Sequence, residues 1–291
     1  MVVTCTYDLR VGDSGVSQGV GRTHTHLCQV FDDHAEFRAA AVEFLADGLA
    51  RGARVRYIAP LDDETLRADL APLGRMPQAR RPGAVEVLSV AGTYAGLEWC
   101  VDAQTQVDAY TADTRAALAD GFTGFRVAAE VTMLVRTPTQ LDAFARYEHQ
   151  ADRLMTRVPF TAMCGYRRAE LGDDVVAQLA CLHPGGSAEQ APFRLHASRD
   201  ADVALSGELD LTTVDLFEAS VDRTGLADGA DEVVVDATGL DFADHRNLLV
   251  LERMAERYGR TVVFRTARHW PVRLVAAMDL SRVRVEHCGR S

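Results

Sequence analysis

The sequence predicts an α/β protein: a mostly parallel sheet with helices on both faces, followed by a smaller α/β domain. Three observations predict it. Short apolar strands alternate with helical stretches of roughly 10–20 residues through the first part of the chain, the pattern of a sheet covered on both sides. A run of Pro, Gly and small polar residues, His183-Pro-Gly-Gly-Ser-Ala-Glu-Gln-Ala-Pro192, interrupts that alternation. Beyond it the element order changes to β-β-α-β-α-β-α. At 291 residues the chain also exceeds the ~100–200 residues usual for one domain, so two are expected. The expected divisions are a flexible tail over 1–21, a first domain over 22–184, a linker over 185–192 and a second domain over 193–291.

Each element has its own signal. The first residues are rich in Gly, Ser and Asp without apolar periodicity, as expected of a tail. His26-Leu-Cys-Gln-Val-Phe31 reads as a strand. Over Asp32–Arg51, Phe37, Ala40, Ala41, Phe44, Leu45 and Leu49 recur at helical spacing and Gly52 stands past the end. Strands follow at Arg54–Ala59 (stopped by Pro60), Val85–Val90, Gly124–Ala129 and Pro159–Tyr166, with helices over 63–70, 101–120 and 139–155 between them. In the second domain Phe193–Ala197 and Val203–Leu205 read as strands, the latter stopped by a tight turn at Gly207. Helices over 212–222, 247–258 and 271–278 then alternate with strands over 232–236, 261–265 and 282–287.

Composition removes several function classes. With 47% hydrophobic and 25% charged residues the chain is globular in type. A net charge of −11 argues against a surface that neutralises phosphates, so no nucleic-acid partner is expected. No apolar run reaches the ~18 residues of a membrane span, and residues 1–21 lack the basic and apolar regions of a signal peptide. The expectation is a cytoplasmic protein without membrane attachment, whose cysteines at 5, 28, 100, 164, 181 and 288 are reduced. None forms a C-x-x-C pair, so a zinc ribbon is not expected, and buried structural Cys is the default.

The alternation of strands and helices raises the question of a nucleotide. Gly15-Val-Ser-Gln-Gly-Val-Gly-Arg-Thr23 has the look of a phosphate loop but fails three times. Val16 replaces the first Gly, Arg22 replaces the Lys, and the segment precedes a strand instead of joining a strand to a helix. After the first strand stand Asp32 and Asp33, which would repel phosphate. Other ligands remain open. In open α/β sheets they sit outside the carboxyl ends of strands. Glu130 ends a strand, Cys164 and Tyr166 share one side of another, and Tyr147 and Glu148 lie on the helix between. His26 begins the first strand and is expected at the opposite edge from these groups.

His, Cys and Glu are competent metal ligands, but no element offers a close pair apart from His24-Thr-His26, which reads as a solvated tail, so no metal is expected. The plain alternative makes Glu130 and Glu148 buried partners of Arg126 or Arg153. No catalytic residue and no reaction are expected, and the cofactor is unknown. The rival reading, a nucleotide- or metal-dependent enzyme or switch, would use His26, Glu130 and Cys164.

Several motifs in fixed order bear on the first domain: His26-Leu-Cys28, Phe44-Leu-Ala-Asp-Gly-Leu49, Gly121-Phe-Thr-Gly-Phe-Arg126, Ala129-Glu-Val-Thr-Met133, Tyr147-Glu148, Ala162-Met-Cys-Gly-Tyr166 and His183-Pro184. Through them residues 26–184 resemble the sensory domain named after methanogens, methylotrophs and the dichloromethane regulator. The resemblance implies a RecA-like fold without its P-loop and the sensing of a small organic, hydrocarbon-derived ligand. The candidate ligand-binding residues are His26, Glu130, Tyr147, Glu148, Cys164 and Tyr166.

Ser206-Gly-Glu-Leu-Asp-Leu211, with the element order around it, resembles the STAS domain of anti-sigma factor antagonists over 193–291. That resemblance implies a docking module whose partner is an anti-sigma factor or another STAS protein. In that family an Asp-Ser dipeptide at a strand end presents a phosphorylatable Ser, and the added charge of about −1.5 to −2 controls docking. Here Asp244 matches the Asp, His245 the Ser, Arg246 the next Ser and Asn247 the Gly, leaving no hydroxyl. Three readings follow: His245 is itself modified or pH-responsive, docking is constitutive under control of the first domain, or the domain self-associates as a scaffold or homo-oligomer. Asp244 also suits a helix N-cap. The candidate docking residues are Asp210, Thr212, Asp244, His245, Arg246 and Asn247.

Overall fold

The computed structural model describes residues 25–94, 100–186, 191–226 and 231–288. The phosphate-loop-like segment, His24 and Cys5 lie outside them. The described residues fall into two compact units, one within His24–Arg199 and one within Asp200–Ser291.

In the first unit, strands β1 (His26–Phe31), β2 (Arg54–Ala59), β3 (Val85–Ser89), β4 (Phe125–Glu130), β5 (Phe160–Arg167) and the short β6 (Gly185–Gly186) form one sheet in the order β3-β2-β4-β5-β1-β6. Neighbours run parallel throughout. Helices α1 (His34–Ala50), α2 (Asp63–Asp69), α3 (Val90–Thr93), α4 (Ala103–Ala119), α5 (Pro138–Met155) and α6 (Arg168–Ala180) connect them. The α/β class expected from the alternation is what the structure has. The sequence pattern marked no helix over α6, where Gly172 sits at φ 77 and interrupts the helical backbone.

Local chemistry explains the main boundaries. Asp33 caps α1 by accepting from the Glu36 amide, and Glu36 reaches back to the Asp32 amide. One carboxylate thus takes an amide of the first turn of α1 and a second takes the amide just before it, in the place a phosphate would need. Helix α5 opens on a capping box, Thr137 with Gln140, and has Pro138 in its first turn. Large buried side chains fill the sheet faces, among them Phe31, Phe37, Tyr57, Phe125, Phe144 and Phe160. Gly165 is required by packing: a Cβ there would stand 2.4 Å from the Phe37 ring of α1.

Pairing register sorts the side chains by face. Cys28 pairs with Cys164, and Glu130 pairs with Gly165. Residues paired in register share a face and successive residues alternate, so Glu130 and Gly165 face α1 while Cys28, Cys164 and Tyr166 face the other way, toward α5.

Strand β7 (Phe193–Ala197) follows the Pro/Gly run and is held within the first unit. The Leu195 amide donates to the Cys181 carbonyl at 2.7 Å and the Ala197 amide to Asp152 Oδ2 at 2.6 Å. In the second unit, β8 (Val203–Leu209), β9 (Glu232–Ala243), β10 (Thr261–Thr266) and β11 (Val283–His287) lie in the order β11-β10-β9-β8, each pair parallel. Helices α7 (Val214–Arg223), α8 (His245–Tyr258) and α9 (Trp270–Ala277) alternate with them. One expectation fails here. Gly207 does not turn the chain out of the strand. At φ 91 it forms an irregularity within β8, which continues to Leu209 beside a longer β9. No described helix is long and apolar enough to cross a membrane.

Candidate functional site

Four polar side chains meet on the α5 face of the first sheet: His26 from β1, Glu148 from α5, Cys164 from β5 and His183 from the turn after α6. Their ligating atoms all lie within 4.8 Å of one another, and His26, Glu148 and His183 have no solvent exposure. His26 Nε2 is 2.8 Å from Glu148 Oε2 and 3.6 Å from Cys164 Sγ, while His183 Nε2 is 3.7 Å from Glu148 Oε2.

Outer contacts orient these groups. His26 Nδ1 meets Asp152 Oδ1 at 3.1 Å, His183 Nδ1 donates to the Leu179 carbonyl at 2.9 Å, and the Tyr166 hydroxyl donates to Glu148 Oε1 at 2.7 Å. Both imidazoles are therefore turned so that Nε2 points inward. The His26 and His183 rings lie 4.1 Å apart between centroids. His183 Nε2 makes no hydrogen bond among the described residues.

The electrostatics follow from burial and close partners. Burial alone would lower the His26 pKa, but the Glu148 and Asp152 carboxylates outweigh it and raise it to about 9. Burial opposes ionisation of Glu148, yet His26, then His183 and the Tyr166 hydroxyl, hold its pKa at about 2. The result is a buried ion pair. Burial lowers His183 to about 4, with His26 adding to the shift, so its imidazole is neutral at pH 7. The Cys164 thiol is pushed well up by burial and by Glu148.

An aromatic wall adjoins the polar groups. Tyr147, one residue before Glu148, packs with Phe144 (ring centroids 5.2 Å apart) and Tyr94 (6.1 Å). The Tyr94 and Tyr110 hydroxyls share a hydrogen bond at 2.9 Å, and all four rings are buried. Apolar rings beside a few convergent polar atoms are the usual makeup of a small-molecule site.

Of the residues singled out from the sequence, the structure brings together His26, Glu148, Cys164 and Tyr166, with Tyr147 alongside. His26 does not stand apart from them. Strand β1 lies beside β5 with His26 opposite Ala162, which places the imidazole one pleat before Cys164 on the same face. The cluster accordingly sits on the sheet's face, not beyond its carboxyl ends.

Glu130 belongs elsewhere. On the α1 face its Oε2 is 3.5 Å from His34 Nδ1, and His34 Nε2 contacts Asp69 Oδ2 at 2.8 Å, an oxygen that also accepts from the Tyr57 hydroxyl at 3.1 Å. Burial raises the Glu130 pKa, partly offset by Arg167 and His34. Arg126, offered by the sequence as a carboxylate partner for these glutamates, pairs with Asp47 at 2.7 Å instead. His183 and Asp152 were not among the candidates. His183 appeared only in a terminal His-Pro motif, and Asp152 follows Glu148 by four residues, one helical turn along the same face of α5.

In the second unit most candidate residues have structural partners. Asp210 accepts from the Thr212 and Thr213 amides at 2.8 and 3.1 Å and from the Thr212 hydroxyl at 2.7 Å. Asp244 caps α8 by accepting from the Arg246 amide at 2.9 Å. Asn247 is fully buried, and its Nδ2 donates to the Leu209 and Asp210 carbonyls at 3.0 Å each. His245 and Arg246 face solvent, with His245 Nδ1 3.3 Å from Asp244 Oδ1. Leu211 and Phe242, exposed at 55% and 49%, flank this edge in the sequence.

No curated protein matches this chain. The family described as MEDS, the MEthanogen/methylotroph, DcmR Sensory domain, matches residues 25–184, a span that contains all four clustered side chains and their outer contacts. With more than half of its length matched, the chain belongs to the MEDS family.

Proposed function

We propose that the chain is a signalling regulator, not an enzyme, whose first unit senses a small molecule. The observation that carries this reading is the buried His26–Glu148–Cys164–His183 group beside the Tyr94–Phe144–Tyr147 wall, within a sensory-family match. Polar atoms fix the orientation of a ligand and the rings supply apolar contact. A nucleotide fits less well, because Asp33 and Glu36 already occupy the amides after β1. The ligand class is a small organic molecule with one polar end.

The test is thermal unfolding of the full chain against short alcohols, aldehydes and halogenated hydrocarbons. At least one should raise the Tm, and Tyr147→Ala should abolish the rise. A chain indifferent to every compound would remove the sensory reading.

The second unit serves as the output in this reading. It docks an anti-sigma factor or another STAS protein at the edge formed by Asp244, His245 and Arg246, without a phosphorylatable Ser. The resemblance around Ser206–Leu211 supports it, as do the solvent-facing His245 and Arg246 in the first turn of α8, beside its Asp244 cap. His245→Ala removes a half-exposed ring, so stability should change by no more than ~0.5 kcal/mol. Binding to the anti-sigma partner, measured by calorimetry, should weaken at least tenfold, roughly 1.4 kcal/mol. Unchanged affinity would show that docking does not use this edge.

A further inference from the structure

From the arrangement of donors, we propose that His26, Glu148, Cys164 and His183 form a four-coordinate site for one divalent transition-metal ion of the zinc class. Two imidazole nitrogens, a carboxylate oxygen and a sulfur are the donor types such an ion takes, at about 2.0–2.3 Å in tetrahedral geometry. That geometry separates donors by about 3.3–3.8 Å. The separations here, 2.8, 3.6 and 3.7 Å for three of the pairs and within 4.8 Å for all, bracket that range.

Proximity alone would be weak evidence. The outer contacts make it specific. A metal-bound histidine hands its other ring N–H to a carboxylate or carbonyl, which fixes the tautomer and aims the free lone pair at the metal. Both histidines are held this way, His26 through Asp152 and His183 through the Leu179 carbonyl. Glu148 is likewise held through one oxygen by Tyr166, leaving the other turned toward the histidines.

His183 adds an independent sign. Its Nε2 is buried and aimed into the group without a hydrogen-bond partner, an arrangement that costs free energy unless something there accepts the lone pair. A cation at the centre satisfies that atom, the thiolate of Cys164 and the inner oxygen of Glu148 together. On binding, Cys164 releases its thiol proton and His26 the Nε2 proton it shares with Glu148, both to solvent, as the metal–sulfur and metal–nitrogen bonds form, and no oxidant or reductant is involved.

The proposal is separable from the sensory reading, since metal uptake requires no organic ligand and an organic response requires no metal. The experiment uses full-length protein, stripped with chelator and titrated with Co2+ alone. One equivalent should bind per chain, with the intense near-ultraviolet band of a cobalt–thiolate bond and the visible spectrum of tetrahedral cobalt. Cys164→Ser, checked for folding by circular dichroism, should lose the thiolate band. Tyr166→Phe should keep the band but bind about 10–100-fold more weakly. Failure of the wild type to take up cobalt, or a thiolate band that persists in Cys164→Ser, would overturn the proposal.

Discussion

Replacing Glu148 with Ala should destabilise the first unit by about 3–5 kcal/mol, the cost of breaking a buried charge pair by removing one member. Glu148 has no exposure, and its two oxygens serve different partners, the Tyr166 hydroxyl at 2.7 Å and His26 Nε2 at 2.8 Å. Truncation strands both. It leaves a buried imidazole next to Asp152 alone and a buried phenol without its acceptor. Urea unfolding followed by a first-unit probe should show the displaced midpoint. The effect should depend on pH in metal-free protein. The Glu148 carboxyl is held at about 2, below its ordinary 4.5, so its contribution is present above 4.5 and is lost as pH falls toward 2. His26 is raised from 6.5 to about 9, so its contribution is complete below 6.5 and is lost as pH rises through 9. The gap between wild type and Glu148→Ala should therefore be widest between those limits, from about 4.5 to 6.5. A gap that is flat from pH 3 to 10 would mean that no ion pair forms.

Asn247→Ala should have the next largest effect, in the second unit. The side chain is fully buried at the first turn of α8, and its amide donates to the carbonyls of Leu209 and Asp210 at 3.0 Å each. The Asp244 amide also donates to the Leu209 carbonyl, so the end of β8 and the start of α8 are joined at three points. Alanine removes both donated bonds and opens a small void, while the Leu209 carbonyl keeps the Asp244 amide and the Asp210 carbonyl keeps the Thr213 hydroxyl at 3.0 Å. At about 0.5–1.5 kcal/mol for each lost hydrogen bond, a total near 1–3 kcal/mol is anticipated. Unfolding of the second unit, read apart from the first, measures it. A loss under about 0.5 kcal/mol would show that solvent reaches these carbonyls and that Asn247 does not tie the loop.

Much of the fold was legible because its signals are local. Strand limits at 26–31 and 54–59 follow from apolar runs ended by charge or Pro, and the helix after β1 from the spacing of Phe37, Phe44, Leu45 and Leu49. Gly207 misled for an equally physical reason. A glycine at positive φ serves a turn or a bulge equally well, and only pairing with β9 decides which.

The site was half legible. Cys164 and Tyr166 share a face by their spacing alone. The sequence could not show that β1 lies beside β5, which carries His26 to Cys164, nor that Glu130 pairs with Gly165 and so points to the opposite face. His183 was hidden further, because a His-Pro at the edge of a Gly-rich run reads as linker. The resemblance to a sensory domain placed the right segment without saying which atoms converge.

The central claim is that this convergence is the sensing site. Nuclear magnetic resonance of the full chain, titrated with a compound that raises its Tm, tests it most directly. The account predicts shifts that begin at His26, Tyr147, Glu148, Cys164 and His183 and saturate together. Saturating shifts confined to the His34–Asp69–Glu130 group, or to the second unit, with the cluster unmoved, would contradict it.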